Sequence, residues 1–384
     1  MRIGIYASPV DEGGDRRYFR SLIEALGRLG GGHEYVVYLE RPLDPPLPQF
    51  PSLRLHVWPR GATGHWRHVH VDLARQLRQD HLDLFHAHFR CMPVDAPCPT
   101  VMSIHDAIHI LSPQGTVDPA FRRSQYHEMR LALHSADRLI VPSEYTRRVL
   151  IDTLGVSARR MTTIPLGCSA VFRPLSRQQA TQQVRRRFRL TRPYLLSLGP
   201  LLPRKNHPLL IRAFRRRLRQ QYDLVIAGGK GWWPASARRV LRLMAGDRTM
   251  HYLGVVPDEE LRQLYTAAEC FVYPSEEEGF GLPPLEAMAC GTPVVAMRCT
   301  SLPEIVGRAG LLVEPGSVTR LADALEGLLQ NPRHQEALRR RGLARASRFR
   351  WEVTAAQTLA VYRRLTRAPG SRSGGGWRHG QSGQ

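Results

Sequence analysis

The sequence predicts an α/β protein of two domains, each a parallel sheet covered by helices on both faces, with a cleft between them. Three observations predict it. Short β-branched runs alternate with amphipathic helical stretches almost throughout, which is the pattern of parallel sheets built from strand–helix–strand units. The pattern starts afresh at Tyr194, after an Arg/Gln-rich stretch over Phe172–Arg192. The chain has 384 residues, more than one hydrophobic core usually organises. Two Rossmann-like domains facing each other is the resulting architecture.

In the first half the predicted strands are Ile3–Ala7, Tyr35–Leu39, Leu53–Trp58, Leu82–His86, Thr100–Ile104, Arg138–Pro142 and Thr162–Pro165. Amphipathic helices are predicted at Arg17–Leu29, Val69–Arg78 and Glu144–Leu154. The second half predicts strands at Tyr194–Leu198, Leu224–Ala227, His251–Val255, Cys270–Tyr273, Pro293–Met297 and Gly310–Val313, again with helices between them. The domain boundaries follow as 1–172 and 173–350, with a helix over 351–366. The Gly/Ser-rich stretch 367–384 has no core-forming pattern and is expected to be a disordered tail.

Composition narrows the classes. Hydrophobic residues make up 42% of the chain, and no apolar run approaches the roughly 18 residues that would span a bilayer. The first residues form a strand-like run without a basic segment ahead of it, so no secretory signal is expected. The six cysteines form no CxxC pair, which points to a reduced, cytoplasmic protein without structural zinc. His65, His68 and His70, with His81, His86 and His88, have no consistent metal-ligand spacing and read as incidental.

The net charge of +22 favours anionic partners. Nucleic acid would predict basic residues interleaved with exposed aromatics on one face, whereas the arginines are scattered. A peripheral contact with an anionic membrane fits the charge better. Lys205 and Lys230 are the two lysines among 55 basic residues. Where Arg is the default cation, a Lys marks a place for a compact point charge.

The segment EGFGLPPLEAMACGTPVV, residues 278–295, carries two glutamates, Glu278 and Glu286. A spacing of eight does not align them on one helix face. They converge only if Glu278 lies on a loop and Glu286 on the helix that follows. The preceding run, Cys270–Pro274, reads as a buried strand, so the loop sits at the ligand-binding end of a doubly wound sheet. Pro283 and Pro284 suit a first helical turn, leaving the amides of Phe280, Gly281 and Leu282 as an anion site for a diphosphate. Glu278 then faces a neutral, hydroxylated part of the ligand.

Ser197–Asn206 follows a strand and precedes a helix, so Arg204 and Lys205 fall on a loop at the same sheet edge, placed to neutralise a diphosphate leaving group. Lys230, after another strand, is a further candidate for phosphate. In the first domain, Gly14 lies in a Gly-rich loop, EGGD, between strand and helix; it lacks the GxGxxG pattern of dinucleotide binders. His105 ends the strand Thr100–Ile104 and faces the cleft, suited to a hydroxyl or a phosphate.

These residues carry a resemblance. Glu278-(seven residues)-Glu286 resembles the E-x7-E motif of retaining glycosyltransferases of family 4, which have the GT-B fold. SLGPLLPRKNHPLLIRAF is similar to the phosphate-binding segment of that family's mannosyltransferase-like branch. ADRLIVPSEYTRRVL with IPLGCSAVFRP, TVMSIHDAIH and GLLVEPGS resemble further segments of it. The likeness covers roughly residues 1–365 and is looser before residue 100.

The resemblance implies a role for each residue. Glu286 holds the nucleotide ribose and Glu278 the hydroxyls of the donor sugar. Arg204 and Lys205 bind the diphosphate, His105 faces sugar and acceptor, and the amides of Gly14, Phe280, Gly281 and Leu282 complete the site. It implies a helix at 351–366 crossing back to the first domain. The implied reaction moves a hexose, most simply mannose from GDP-mannose, to a glycan or polyprenyl-linked acceptor, without a metal or other cofactor. UDP-glucose or another nucleotide-hexose is the alternative donor. One departure is that many relatives have Arg where this chain has Pro200, which leaves the diphosphate charge to Arg204 and Lys205.

Overall fold

The computed structural model describes residues 1–7, 14–43, 46–57, 65–88, 91–106, 119–231 and 233–367. Trp58, Glu12, Gly13, part of the TVMSIHDAIH segment and nearly all of the expected tail lie outside these residues.

The first sheet has seven parallel strands, β1 (Arg2–Tyr6), β2 (Glu34–Leu39), β3 (Leu53–Val57), β4 (Leu84–His88), β5 (Thr100–Ser103), β6 (Arg138–Val141) and β7 (Met161–Thr163), in the order β3-β2-β1-β4-β5-β6-β7. Alternate side chains serve opposite faces, as the two-residue period of a strand requires. Ile3, Ile5, Val37 and Leu84 pack with Tyr18, Phe19, Leu22 and Leu26 of α1 (Gly14–Leu29). Tyr6, Val36, Tyr38 and Phe85 face the other way, toward Leu73, Leu77, Met129 and Leu150.

The helix predicted at Val69–Arg78 is broken. It runs as α2 (His65–Arg67), a π turn over His68–Leu73, and α3 (Ala74–Gln79). The wider turn seats His68 in the core, with its Nε2 3.3 Å from Tyr6 Oη. Helices α4 (Pro119–Ser135) and α5 (Glu144–Leu154) complete this half. The Ser143 hydroxyl caps α5 by accepting from Thr146 N, and Gly155 ends it in the left-handed region.

The stretch Phe172–Arg192, expected only to separate the halves, folds at its centre into α6 (Arg177–Phe188). Ala180 and Val184, four residues apart, bury one narrow stripe, while the Arg and Gln side chains form the solvated outer face. The second sheet follows, with β8 (Tyr194–Leu198), β9 (Asp223–Ala227), β10 (Met250–Gly254), β11 (Cys270–Tyr273), β12 (Val294–Met297) and β13 (Leu311–Val313). All pairings are parallel, in the order β10-β9-β8-β11-β12-β13. Around it lie α7 (His207–Arg217), α8 (Pro234–Met244), α9 (Asp258–Ala267), α10 (Leu282–Ala289), α11 (Leu302–Val306), α12 (Val318–Leu329) and α13 (Pro332–Ala346).

The last helix, α14 (Trp351–Arg367), returns to the first half and packs on α1. The two chain crossings run side by side, with Cys168 N donating to Phe349 O at 2.9 Å and Thr354 Oγ1 to Pro165 O at 2.8 Å. At the heart of this contact Tyr362 Oη lies 2.5 Å from His86 Nδ1, and His86 Nε2 lies 2.8 Å from Ser103 Oγ, which in turn is 2.8 Å from Tyr18 Oη. Burial pushes the His86 imidazole down to about 3, so it is neutral and shares protons along the chain. Of the histidines read as incidental, this one ties three elements and the final helix together.

Two loops hold the halves face to face. The hydroxyls of Ser143 and Thr146 donate to Gly279 O at 2.6 and 3.1 Å. The Glu304 carboxylate accepts from the amides of Glu144 and Tyr145, at 2.9 and 2.7 Å, placing negative charge at the N-terminus of α5. A Cβ on Gly279 would overlap the carbonyl oxygen of His105 and come within 2.9 Å of Asp106 Cβ. Backbone meets backbone there, and nothing flexible is available to yield. Gly279→Ala is therefore expected to hold the cleft open, read as a rise in the radius of gyration by small-angle X-ray scattering with the thermal unfolding of both halves retained. An unchanged radius would show that the loop absorbs the methyl group locally.

Candidate active site

In both sheets the strand order reverses at the centre, between β1 and β4 and between β8 and β11, the place where parallel sheets of this kind bind ligands. From the second sheet come the loops after β8 and β11. The loop after β8 tightens into a 3₁₀ turn over Pro203–Lys205, and the loop after β11 leads into α10. The two are stitched together by Glu276 N donating to Arg204 O at 2.9 Å and by Asn206 Nδ2 donating to Glu276 Oε1 at 2.7 Å.

Glu278 sits where they meet. Its Oε1 accepts from Lys205 Nζ at 2.5 Å, Ser275 Oγ at 2.5 Å, Tyr273 Oη at 2.8 Å and Arg204 Nη1 at 3.1 Å. All four go to that single oxygen, and Oε2 takes none of them. Burial pushes the carboxyl up, yet the charges of Lys205 and Arg204 with the hydrogen bonds from Lys205 and Ser275 outweigh it and bring it down to about 2. Glu278 is thus an acceptor-only carboxylate with one oxygen committed to the protein. Burial also lowers Lys205, to about 8, against the pull of Glu278. Arg204 is raised, its burial overcome by Glu278.

The sequence placed Arg204 and Lys205 on a loop as a pair of cations, and the structure adds that both are paired with Glu278. Lys205 is 6% exposed, and both cations share one carboxylate, so the group carries a single positive charge. Lys205 Nζ also lies 2.5 Å from Tyr273 Oη. A flexible surface lysine would not be held this way; the ammonium is pre-positioned.

Gly281 precedes α10 with φ at 114°, a conformation that glycine adopts without strain. Ser301 Oγ lies 2.9 Å from Glu278 O and 2.7 Å from Phe280 O, pulling both carbonyls to the back of the loop. Among the described residues no acceptor takes the amides of Phe280, Gly281 or Leu282. Glu286, on the second turn, is 1% exposed. Its Oε2 accepts from Tyr265 Oη at 3.2 Å, and its Oε1 pairs with Arg17 Nη1. Burial raises the Glu286 carboxyl, and Arg17 opposes this.

Gly14 begins α1 on the opposite wall. His105 lies just beyond β5, with its ring edge-on to Tyr18 at 4.1 Å and near-parallel to His88 at 6.1 Å. Its carbonyl is the group that Gly279 abuts, so the backbone at His105 meets the backbone next to Glu278, while the imidazole packs against Tyr18 and His88. Lys230 is exposed on the loop after β9. That loop hydrogen-bonds to the β8 loop through Leu201 N and Gly229 O at 3.0 Å. Sequence reasoning missed Arg17, Tyr265, Tyr273 and Ser275. Tyr273 was the one within reach, as the last residue of a strand whose end faces the cleft. Among the described residues no group of three His, Cys, Asp or Glu side chains is arranged to hold a metal ion, and no helix is long and apolar enough to cross a membrane.

The chain is similar to known proteins in sequence and in fold. The family model for glycosyl transferases group 1 matches residues 178–345, and that for glycosyltransferase family 4 matches residues 12–172. O-antigen chain mannosyltransferase B of Escherichia coli is 37% identical over 248 residues, which cover 63% of this chain and 65% of that protein. D-inositol 3-phosphate glycosyltransferase of Kineococcus radiotolerans is 32% identical over 320 residues, covering 74% of this chain and 72% of its own. Against the serotype-specific mannosyltransferase WbdA of Escherichia coli the match is 30% over 285 residues and takes in 34% of that protein. The chain thus spans between about a third and two thirds of the first curated relatives it matches. Among solved structures, sucrose-phosphate synthase from Thermosynechococcus elongatus superimposes with a TM-score of 0.75 at 25% identity, covering 95% of this chain and 98% of that one. Anabaena HepE in complex with UDP-glucose has a TM-score of 0.78 at 19% identity, covering 95% and 100%, and shares the fold. With two facing parallel-sheet domains, the Glu278–Glu286 pair at the cleft and both halves matched, the chain belongs to the GT-B glycosyltransferases of family 4.

Proposed function

We propose that the protein is a retaining hexosyltransferase that moves mannose from GDP-mannose to a hydroxyl of a glycan or polyprenyl-linked acceptor. The observation that carries the reading is the state of Glu278. A carboxylate lowered to about 2, with four donors on one oxygen and none of them on the other, keeps acceptor capacity for further hydrogen-bond donors, and a sugar offers hydroxyls. Beside it stand the elements a diphosphate needs: a net positive charge from Lys205 and Arg204 and the amides of Phe280, Gly281 and Leu282 at a helix N-terminus. Lys230, on the loop after β9, and the Gly14 amide, at the start of α1, are assigned to the same diphosphate. The relatives named as mannosyltransferases support mannose as the sugar.

In this mechanism Glu286 holds the ribose, Glu278 the hexose hydroxyls, and His105 lines the pocket where sugar meets acceptor. The transition state is oxocarbenium-like. Charge that develops on the leaving diphosphate is met by Lys205, Arg204 and the helix-end amides, a role supported by the way Glu278 and Tyr273 hold the Lys205 ammonium in advance. These groups do the work a metal would do at the diphosphate, so no metal enters the reading. The acceptor proton passes to a donor phosphate oxygen. The charge of +22 supports a peripheral contact with an anionic membrane on the cytoplasmic side, close to a lipid-linked acceptor.

A thermal-shift panel of GDP, UDP, ADP and dTDP tests the donor site, because a ligand that binds only the folded state raises its melting temperature. A shift confined to GDP is expected. A shift with UDP alone would move the donor to a glucose- or galactose-type sugar, and no shift with any nucleotide would overturn the donor-site reading. Lys205→Ala should lower kcat/KM by about 10²–10³-fold, the scale of losing one preorganised donor to a developing charge; an unchanged rate would sink the phosphate assignment. The pH profile carries its own sign. A lysine lowered to about 8 is charged below that pH and neutral above it, so kcat/KM should be flat below about 8 and fall above it. In Lys205→Arg that fall should vanish from the profile, since a guanidinium keeps its proton there.

A further inference from the structure

Arg17 is the cation that reaches across the cleft into the donor side. It projects from the first domain's α1, and its fork divides, Nη1 going to Glu286 Oε1 and Nη2 to Asp258 Oδ1 at 2.8 Å. The guanidinium also lies over the Phe172 ring, 5.9 Å from its centroid. A carboxylate as buried as Glu286 is costly without a counter-ion. Among the described residues Arg17 is its ion-pair partner. Among the described residues the other groups coupled to Glu286 bring no positive charge: Asp258 and Tyr265 of α9, Cys168 of the interdomain crossing, Cys290 beyond α10 and Tyr273 of β11. Arg262, nearby on α9, directs its guanidinium to the carbonyls of Arg173 and Pro174 instead.

We infer that Arg17 is a positioning residue for the donor's ribose: it supplies the counter-charge to Glu286 and aims its carboxylate, and so makes the ribose site complete only while the two domains stand together. The inference rests on the assignment of Glu286 to the ribose. Two observations favour a supporting role over a blocking one. Arg17 and Tyr265 take one lone pair on each oxygen of Glu286, which leaves a second on each for the 2′ and 3′ hydroxyls. A neutral ribose that displaced Arg17 would also strip a buried carboxylate of its counter-charge. Arg17 itself is anchored from behind, because its neighbour Tyr18 joins the Ser103–His86–Tyr362 chain.

Calorimetric titration with GDP and UDP and with their 2′,3′-dideoxy analogues tests this on the wild type, Arg17→Met and Arg17→Lys. For the nucleotide that the wild type binds, Arg17→Met should weaken the ribo form by about tenfold, the scale of one charge-assisted hydrogen bond, and the dideoxy form far less. Arg17→Lys should recover part of the loss. The deficit of Arg17→Met relative to wild type should widen from about pH 7.5 to about pH 5.5, as an unsupported Glu286 takes up a proton. Equal losses for ribo and dideoxy forms, or a pH-independent deficit, would show a merely structural role and overturn the inference while leaving the donor site standing. Tighter binding by Arg17→Met would also overturn it, marking Arg17 as a plug. Binding of neither GDP nor UDP by the wild type would remove the ribose reading, and this inference with it.

Discussion

The close approach of Gly279 to the His105 carbonyl is the constraint on which the site depends. Each loop belongs to a different domain, and neither reaches the cleft's centre alone. With the backbones in contact, Ser143 and Thr146 hold the Gly279 carbonyl and Glu304 holds the start of α5. That grip brings the residues around Glu278 opposite those around His105. It also sets α1 where Arg17 meets Glu286.

Charge distribution follows the same division. Around Glu278 two cations share one carboxylate, and around Glu286 two carboxylates share one cation. The first cluster is left positive and the second negative, with the amide end of α10 between them. A ligand with a charged middle flanked by hydroxylated ends is complementary to that order, whereas a uniformly anionic polymer such as nucleic acid is repelled at one end. Burying so many ionised groups is costly. The converging donors on Glu278 offset that cost at one of its two oxygens before any ligand arrives.

Much of this was legible in the sequence. The strand–helix alternation gave both sheets, and the glutamate pair with its glycines and prolines located the loop and the helix start. The rarity of lysine singled out Lys205, which proved the most buried of the cations at the site. What was hidden has a common cause, since it depends on which residues become neighbours in space. Arg17 and Glu286 are separated by 269 positions, and no local period announces their pairing. His86 looked like one of several scattered histidines because its partners, Ser103 and Tyr362, lie on other elements. α6 escaped notice because its buried stripe is only two small side chains wide. Tyr273 and Ser275 stood beside Glu278 in the sequence, yet only the loop's curl turns both toward one oxygen.

The helix that returns to the first domain has a consequence for how the chain comes off the ribosome. Tyr362 contacts His86 across 276 positions, and α14 lies against α1. The domain whose strands are synthesised first is therefore the last to be completed. Throughout synthesis of the second domain, the surface of α1 and the β4–β5 region that will receive Ala355, Leu359 and Tyr362 stays uncovered. Domain order in translation and domain order in folding are thus reversed for the final step. The nascent first half must wait, incomplete, for the helix that covers it.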